Sequence, residues 1–152
     1  MASRTRGFAH RIDIAAPPMQ VWTTLSGPGL VPLWLGADAK VTPRQGGGWA
    51  VTLAPGLERD AMIDVFEPPR RLRLIYLPPP QLPGFDGAVV DDFLLDGEGD
   101  GTILRQLCSG MPDLPEWTPV FSKVRALSER ALSRLKMVVE QRERMATAGS
   151  GA

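Results

Sequence analysis

The chain has 152 residues, and its 17 basic and 17 acidic side chains cancel at pH 7. This length suits one domain with a substantial core, and the balanced charge gives no general attraction to nucleic acid. One cysteine and one histidine exclude a disulfide framework and any zinc site built from several thiolates or imidazoles. No run reaches the roughly 18 apolar residues of a membrane span, so we expect a cytoplasmic protein without a membrane anchor.

The N-terminal third predicts one strand followed by two short helices. Residues 8–14 alternate with period two, which indicates a half-buried strand whose inward face carries Phe8, His10, Ile12 and Ile14. The Pro17-Pro18 pair favours a helix start, because amides of the first turn have no intrahelical partner. Glycines at 27 and 29 end this helix, and a second short helix is predicted at about residues 29–35.

Short strand signals then recur as far as residue 109. Strands are predicted at about residues 39–42, 49–53, 59–66, 71–76, 89–95 and 102–109. The phase of residues 59–66 is unclear, because apolar side chains fall on both faces. Residues 78–87 hold four prolines and two glycines, which favours a loop, and we expect this loop at the rim of a pocket.

The chain closes with a long amphipathic helix, predicted at about residues 118–145. Its apolar stripe recurs every three or four residues: Phe121, Val124, Leu127 or Ser128, Ala131, Leu135 and Val138. A helix of about 28 residues is about 42 Å long, and across a curved sheet it would enclose a pocket. We expect one domain at residues 8–145, with flexible ends at residues 1–7 and 146–152.

Five motifs cover the chain from about residue 8 to residue 110. They are Ile14-Ala-Ala-Pro-Pro-Met-Gln-Val-Trp22, Trp34-Leu35, Pro43-Arg-Gln-Gly-Gly-Gly-Trp49, Glu67-Pro-Pro-Arg-Arg-Leu72, and Gly101-Thr-Ile-Leu104 followed by Gly110. Together these motifs resemble those of the SRPBCC, or START-like, superfamily, and within it they are similar to the C-terminal domain of the heat-shock-protein ATPase activator.

The resemblance implies an α+β helix-grip fold. In this fold a curved antiparallel sheet of about seven strands, with two short helices after strand 1, encloses an apolar cavity with a long C-terminal helix. Members bind lipids, sterols, polyketides and plant hormones, and some are aromatases or cyclases. The resemblance carries no shared catalytic residue onto this chain. Eukaryotic activators add an N-terminal chaperone-contact domain, which we do not expect here, because seven residues precede the first predicted strand.

The predicted cavity wall draws on the two short helices, on several strands and on the long helix. Large apolar pockets with a few polar groups are the usual form of small-molecule sites, and four tryptophans favour contacts with flat ligands. The competing interpretation is that the same side chains simply fill the core. The predicted ligand-binding residues are Trp22, Leu25, Trp34, Trp49, Val51, Leu74, Tyr76, Phe93, Leu104, Gln106, Trp117, Phe121 and Val124.

Polar residues alternate in phase with apolar ones on several predicted strands. Because a buried polar group needs a partner, a His10–Asp91 pair is the candidate general base. A bulge that shifts the phase by one residue would turn Asp91 outward and Asp92 inward. Cys108 is interpreted as a small buried hydrophobe rather than as a nucleophile.

The leading hypothesis is a protein that binds a small apolar or aromatic molecule, such as a lipid, a polyketide or a similar metabolite. His10, Tyr76 and Gln106 would orient this ligand. One alternative is a cyclase- or aromatase-type enzyme with His10 as its acid–base group. Another is a protein-interaction or chaperone-regulating module that uses the basic outer face of the last helix. We expect no cofactor and no metal, and either a monomer or a homodimer.

Overall fold

The computed structural model describes residues 4–79, 82 and 87–150. Its elements are β1 (Thr5–Ile14), α1 (Pro18–Ser26), α2 (Val31–Trp34), β2 (Lys40–Val41), β3 (Gly48–Ala54), β4 (Leu57–Glu67), β5 (Arg71–Tyr76), β6 (Val89–Glu98), β7 (Gly101–Pro112), a 3-10 turn (Pro115–Trp117) and α3 (Thr118–Ser150). Within these residues the strands form one seven-stranded antiparallel sheet in the order β1-β7-β6-β5-β4-β3-β2. The predicted α+β fold class is confirmed.

The sheet is a meander from β2 to β7, and β1 pairs with the last strand rather than with its neighbour in the chain. In β1 the register shifts between Arg6 and Phe8. A Cβ at Gly7 would lie 2.1 Å from the carbonyl oxygen of Cys108, so the two backbones can approach this closely only with glycine at that position.

The other edge of the sheet is formed by β2, which has only two residues. It pairs with Trp49 and Ala50 and leaves the rest of β3 without a strand neighbour on that side among the described residues. Further along β3, the amide of Thr52 donates a hydrogen bond of 3.0 Å to the carboxylate of Asp38. A side chain therefore takes the place of a neighbouring strand at this amide.

Helix α3 lies across the concave face of the sheet and packs against β1, α1 and α2. The alternation of the strands and the helical period of α3 turn their apolar faces toward each other. The side chains that α3 buries in this way form one stripe: Val124, Ser128, Ala131, Leu132, Leu135 and Val139.

Two polar contacts hold α3 to the edge strand β1 and to the residue that follows it. At the start of α3, the guanidinium of Arg6 donates a hydrogen bond of 2.9 Å to the Thr118 hydroxyl. In its C-terminal half, the Glu140 carboxylate accepts a hydrogen bond of 2.8 Å from the amide of Ala15. The helix is therefore held to the sheet by directional contacts as well as by its apolar stripe.

Two elements extend beyond the bounds predicted from the sequence. β1 begins at Thr5, because Thr5 and Arg6 extend the ladder opposite Pro112 and Met111 of β7. α3 continues to Ser150, and the alanines at 146 and 148 are strong helix formers. Residues 1–3, 151 and 152 lie outside the described part of the chain.

Among the described residues, no helix combines the length and the apolar character that crossing a membrane requires.

Replacing Leu135 with alanine tests how much stability the stripe of α3 contributes. Leu135 is fully buried, so Leu135→Ala should lower the free energy of unfolding by about 2–5 kcal/mol. Met137 lies on the same helix but is 69% exposed, and Met137→Ala should change the free energy of unfolding by less than about 0.5 kcal/mol. Urea unfolding of both variants measures the difference, and equal losses would contradict the observed packing of α3.

Candidate functional site

A cluster of polar side chains lies in the otherwise apolar interior between the sheet and α3. The carboxylate of Asp91, which is 1% exposed, accepts a hydrogen bond of 2.7 Å from the Tyr76 hydroxyl. The guanidinium carbon of Arg59 lies 3.6 Å from the centre of the Tyr76 ring, and Arg59 Nη1 lies 3.8 Å from Asp91 Oδ2. We call Arg59, Tyr76 and Asp91 the interior triad.

Strand register brings the interior triad together. Tyr76 on β5 pairs with Ala61 of β4 on one side and with Val89 of β6 on the other. Arg59 and Asp91 each lie two residues along from these partners, so both are diagonal neighbours of Tyr76 on the same face of the sheet. Long side chains interact readily across such diagonals.

The interior triad forms one side of a cavity beneath α3, which we call the inner cavity. Its volume is about 20 Å³, which is room for about one water molecule. Aromatic rings supply much of the rest of its lining, and Trp49 lies 6.3 Å from Trp34 and 6.5 Å from Phe93 between ring centres. Gln106 of β7 and Ser128 of α3 add polar atoms to the lining.

A second space of about 20 Å³, the outer cleft, lies between the ends of the strands and the start of α3. Its walls include Trp117 and Val120, and Leu77 and Pro79 place the start of the predicted rim loop there. Residues 80, 81 and 83–86 of that loop lie outside the described residues. Arg59 and Tyr76 line both the outer cleft and the inner cavity, so their stacked side chains form the wall between the two.

Several polar atoms around the inner cavity have unused hydrogen-bonding capacity. Asp91 Oδ1 and Gln106 Oε1 are buried and accept no hydrogen bond from the described residues. The guanidinium of Arg59 has two contacts among them, the Tyr76 ring and the Asp91 carboxylate, and 3.8 Å is too long for a hydrogen bond. Leaving such a group unsatisfied costs about 1–3 kcal/mol, so these atoms require water or a ligand as a partner.

Burial sets the protonation state of two side chains at the site. Removal from water, reinforced by the negative charge of Asp91, raises the pKa of Tyr76 well above its ordinary value of 10.0. The same two causes raise the pKa of the Cys108 thiol. Tyr76 therefore stays a neutral hydrogen-bond donor, and Cys108 stays a protonated thiol, which is a poor nucleophile.

His10 faces α3 but is not close to Asp91. Its Nε2 lies 3.0 Å from the backbone carbonyl oxygen of Arg125, so this nitrogen carries the proton and donates it to the helix. β7 separates β1 from β6, so the structure does not join the two candidate general-base residues. Asp91 points inward, whereas Asp92 points outward and accepts a hydrogen bond of 3.0 Å from Arg71. The alternative in which a bulge turns Asp91 outward and Asp92 inward is therefore not observed.

The structure places the predicted ligand-binding residues in three environments. One group lines the inner cavity: Trp34, Trp49, Val51, Tyr76, Phe93 and Gln106. Trp117 lines the outer cleft, together with Tyr76. The remaining residues line neither space and pack within the core or at its border: Trp22, Leu25, Leu74, Leu104, Phe121 and Val124.

Sequence reasoning missed Arg59, and it left Ser128 as one of two choices for the apolar stripe. Arg59 was missed because the phase of its strand was unclear. The informative signal is that Arg59 lies on the same face of its strand as three apolar residues that point to the interior: Leu57, Ala61 and Ile63. An arginine in phase with buried apolar side chains indicates a buried charge, which needs a partner.

Tyr76 is the only tyrosine of the chain, so tyrosinate absorbance reports this one side chain. The folded state binds the phenol proton more tightly than the unfolded chain. Its stability contribution is therefore complete below pH 10.0 and is lost as the pH rises above it. In an alkaline titration we expect tyrosinate to form together with the loss of folded circular dichroism.

Tyr76→Phe provides the control for this titration. It should lower the free energy of unfolding at neutral pH by about 1–3 kcal/mol, because Asp91 loses a hydrogen-bond donor. The stability difference between wild type and variant should then narrow as the pH rises above 10.0. Tyrosinate that forms at its ordinary pKa in the folded protein would contradict the burial of Tyr76.

Comparison with known proteins identifies the fold. No protein-family profile and no curated protein matches this chain, whereas many solved structures match it. Protein MLL2253 from Mesorhizobium loti is 22% identical with a TM-score of 0.76, over 90% of this chain and 98% of its own. The Aha1 dimer from Colwellia psychrerythraea is 17% identical with a TM-score of 0.68, over 89% and 96% of the two chains.

A third similar structure is a norcoclaurine synthase point mutant from Thalictrum flavum, solved in complex with a transition-state analogue. It is 16% identical with a TM-score of 0.68, over 94% of this chain and 99% of its own. At these identities the likeness concerns the fold, and the more specific similarity to the heat-shock-protein ATPase activator is not established by it. The chain has the helix-grip fold that these proteins share.

Proposed function

We propose that the protein binds a small aromatic or otherwise apolar molecule between the sheet and α3. The observation that carries this proposal is the set of unsatisfied buried acceptors, Asp91 Oδ1 and Gln106 Oε1, in a cavity walled by aromatic rings. Buried polar atoms in folded proteins are nearly always hydrogen-bonded. A ligand with a flat apolar surface would pack against these rings, and its hydroxyl or N–H group would donate a hydrogen bond to one of these acceptors.

The side chains suggest how such a ligand would be oriented. Its ring would lie against Trp34, Trp49 and Phe93, since aromatic groups prefer offset or edge contacts with one another. Its donor would point toward Asp91 and Gln106. His10 contributes from outside the cavity, because its hydrogen bond to α3 holds the helix over the site.

Binding requires the interior to open. The inner cavity and the outer cleft each have only about 20 Å³, far less than the roughly 300–1,000 Å³ of ordinary ligand pockets. The two spaces adjoin at the Arg59–Tyr76 stack, so movement of these two side chains would join them. We therefore expect a bound ligand to displace this stack and to extend into both spaces.

A cyclase-type enzyme is a second candidate, and the 2.7 Å contact between Tyr76 and Asp91 at the cavity wall favours it. The norcoclaurine synthase with the same fold was solved with a transition-state analogue, which supports an enzyme in this architecture. The substrate proton would pass to Asp91 rather than to His10, because His10 Nε2 is engaged with α3, and Tyr76 would act beside Asp91 as a neutral hydrogen-bond donor.

The four tryptophans report binding at separate places. Titration with 2-naphthylmethanol, which is neutral and has one hydroxyl donor, should shift the indole N–H signals of Trp34 and Trp49 in nitrogen-15 NMR spectra. Trp117 should respond as well, because the outer cleft that it lines adjoins the inner cavity at the Arg59–Tyr76 stack. Trp22 lines neither space and packs on Phe66 at 5.3 Å, so its signal should stay in place.

Two alanines of α3 provide a matched pair of variants. Ala131 lines the inner cavity, and Ala131→Leu should weaken binding of 2-naphthylmethanol by about tenfold or more, because it fills the space. Ala126 is exposed on the same helix, and Ala126→Leu should leave binding unchanged. Urea unfolding of both variants shows whether they are folded. Equal binding by a folded Ala131→Leu would refute a site between the sheet and α3.

A further inference from the structure

We infer that the ligand is an aromatic carboxylate and that Arg59 binds its carboxylate group. This inference rests on the proposed function and adds the chemical class of the ligand. Arg59 projects from β4 toward the interior, where its side chain is only 10% exposed. It lies at the boundary of the two spaces, since it lines both the inner cavity and the outer cleft.

The first argument is that the guanidinium lacks hydrogen-bond acceptors. Among the described residues its contacts are the face of the Tyr76 ring and Asp91 Oδ2, which is 3.8 Å from Nη1. The same oxygen already accepts the hydrogen bond of 2.7 Å from the Tyr76 hydroxyl. A guanidinium has five N–H donors in a planar fork, so its donors remain available in a nearly buried position.

The second argument is the match between the guanidinium and a carboxylate. Two parallel hydrogen bonds from an arginine fork to a planar carboxylate are short and charge-assisted, and they are stronger where water is excluded. A ligand ammonium at the same position would be repelled by Arg59. The stacked contact with Tyr76 leaves the edge of the guanidinium, where the N–H groups lie, free to meet an incoming anion.

The third argument is the position of Arg59 between the two spaces. Arg59 lines both of them, whereas Trp34, Trp49 and Gln106 line the inner cavity alone. A carboxylate held at Arg59 would therefore leave the ring inside the inner cavity. Glu58 also borders the cleft, but it is exposed, so water screens its negative charge.

A pair of probes that share one ring system tests this inference. We compare 6-hydroxy-2-naphthoate with 6-(hydroxymethyl)-2-naphthol at neutral pH, so that both probes carry the hydroxyl donor of the proposed function, and we follow the indole signals of Trp34 and Trp49. The carboxylate should bind wild-type protein about tenfold or more tightly than the alcohol, because only the carboxylate can form the paired hydrogen bonds.

Removing the guanidinium should abolish this preference. In Arg59→Gln, affinity for the carboxylate probe should fall about tenfold or more, while affinity for the alcohol probe should change less than about threefold. Because Arg59→Gln leaves the Asp91 carboxylate without its cation, the double variant Arg59→Gln/Asp91→Asn serves as a neutral version with the same expected loss. Arg130→Gln, on the exposed face of α3, should keep the preference and controls for attraction to surface charge.

The outcomes separate this inference from the proposed function. Binding of both probes with equal affinity in wild type, or a preference that survives in the folded double variant, overturns the assignment of Arg59 and leaves the binding site standing. If Arg130→Gln loses the preference for the carboxylate probe, the anion binds at the protein surface, and this result would also overturn the assignment of Arg59. If neither probe shifts Trp34 or Trp49, the proposed function fails, and this inference fails with it.

Discussion

The packing of α3 across the concave face of the sheet is the contact on which the rest of the structure depends. A curved sheet of this size buries its inner face only if another element covers it. One helix stripe does this here, with Val124 and Leu135 fully buried, and polar contacts from Arg6, His10 and Glu140 hold the helix in place. The interior exists as an enclosed space because these contacts act together.

Within that space the interior triad is costly for stability. Burying an ion pair sacrifices hydration that the mutual attraction seldom recovers, and apolar residues of similar volume often serve stability as well or better. The Arg59–Asp91 pair is long for an ion pair, and two oxygen atoms nearby accept no hydrogen bond from the described residues. A triad with this much unused bonding capacity is better suited to recognition than to holding the fold together.

The fold was more predictable than the site because period-two and helical patterns report directly on burial. Alternation correctly placed Phe8 and Ile14 on the inward face of β1, and the order of the motifs led to the helix-grip fold. Alternation also placed Asp91 and Gln106 correctly in the interior. It could not separate cavity-lining residues from packed ones, because Leu74 and Trp49 have the same phase and burial.

The remaining differences between the predicted and the observed site residues arise from tertiary packing. Trp22 and Leu25 were assigned to the cavity wall, but they pack away from the inner cavity, with Trp22 against Phe66. Whether an inward side chain borders empty space depends on the rotamers of its neighbours, which no sequence pattern encodes. Arg59 was missed because β4 carries a register shift between Ile63 and Val65, which mixes its two faces in the sequence.

The two-residue strand β2 has a consequence for behaviour at high concentration. Exposed sheet edges are templates on which other chains can add strands, and natural proteins blunt them with short strands and charged side chains. Here β2 offers a ladder of only two residues, and Asp38 already occupies the amide of Thr52 beyond it. A strand from another molecule would have to displace this side chain before it could pair with β3 along its length.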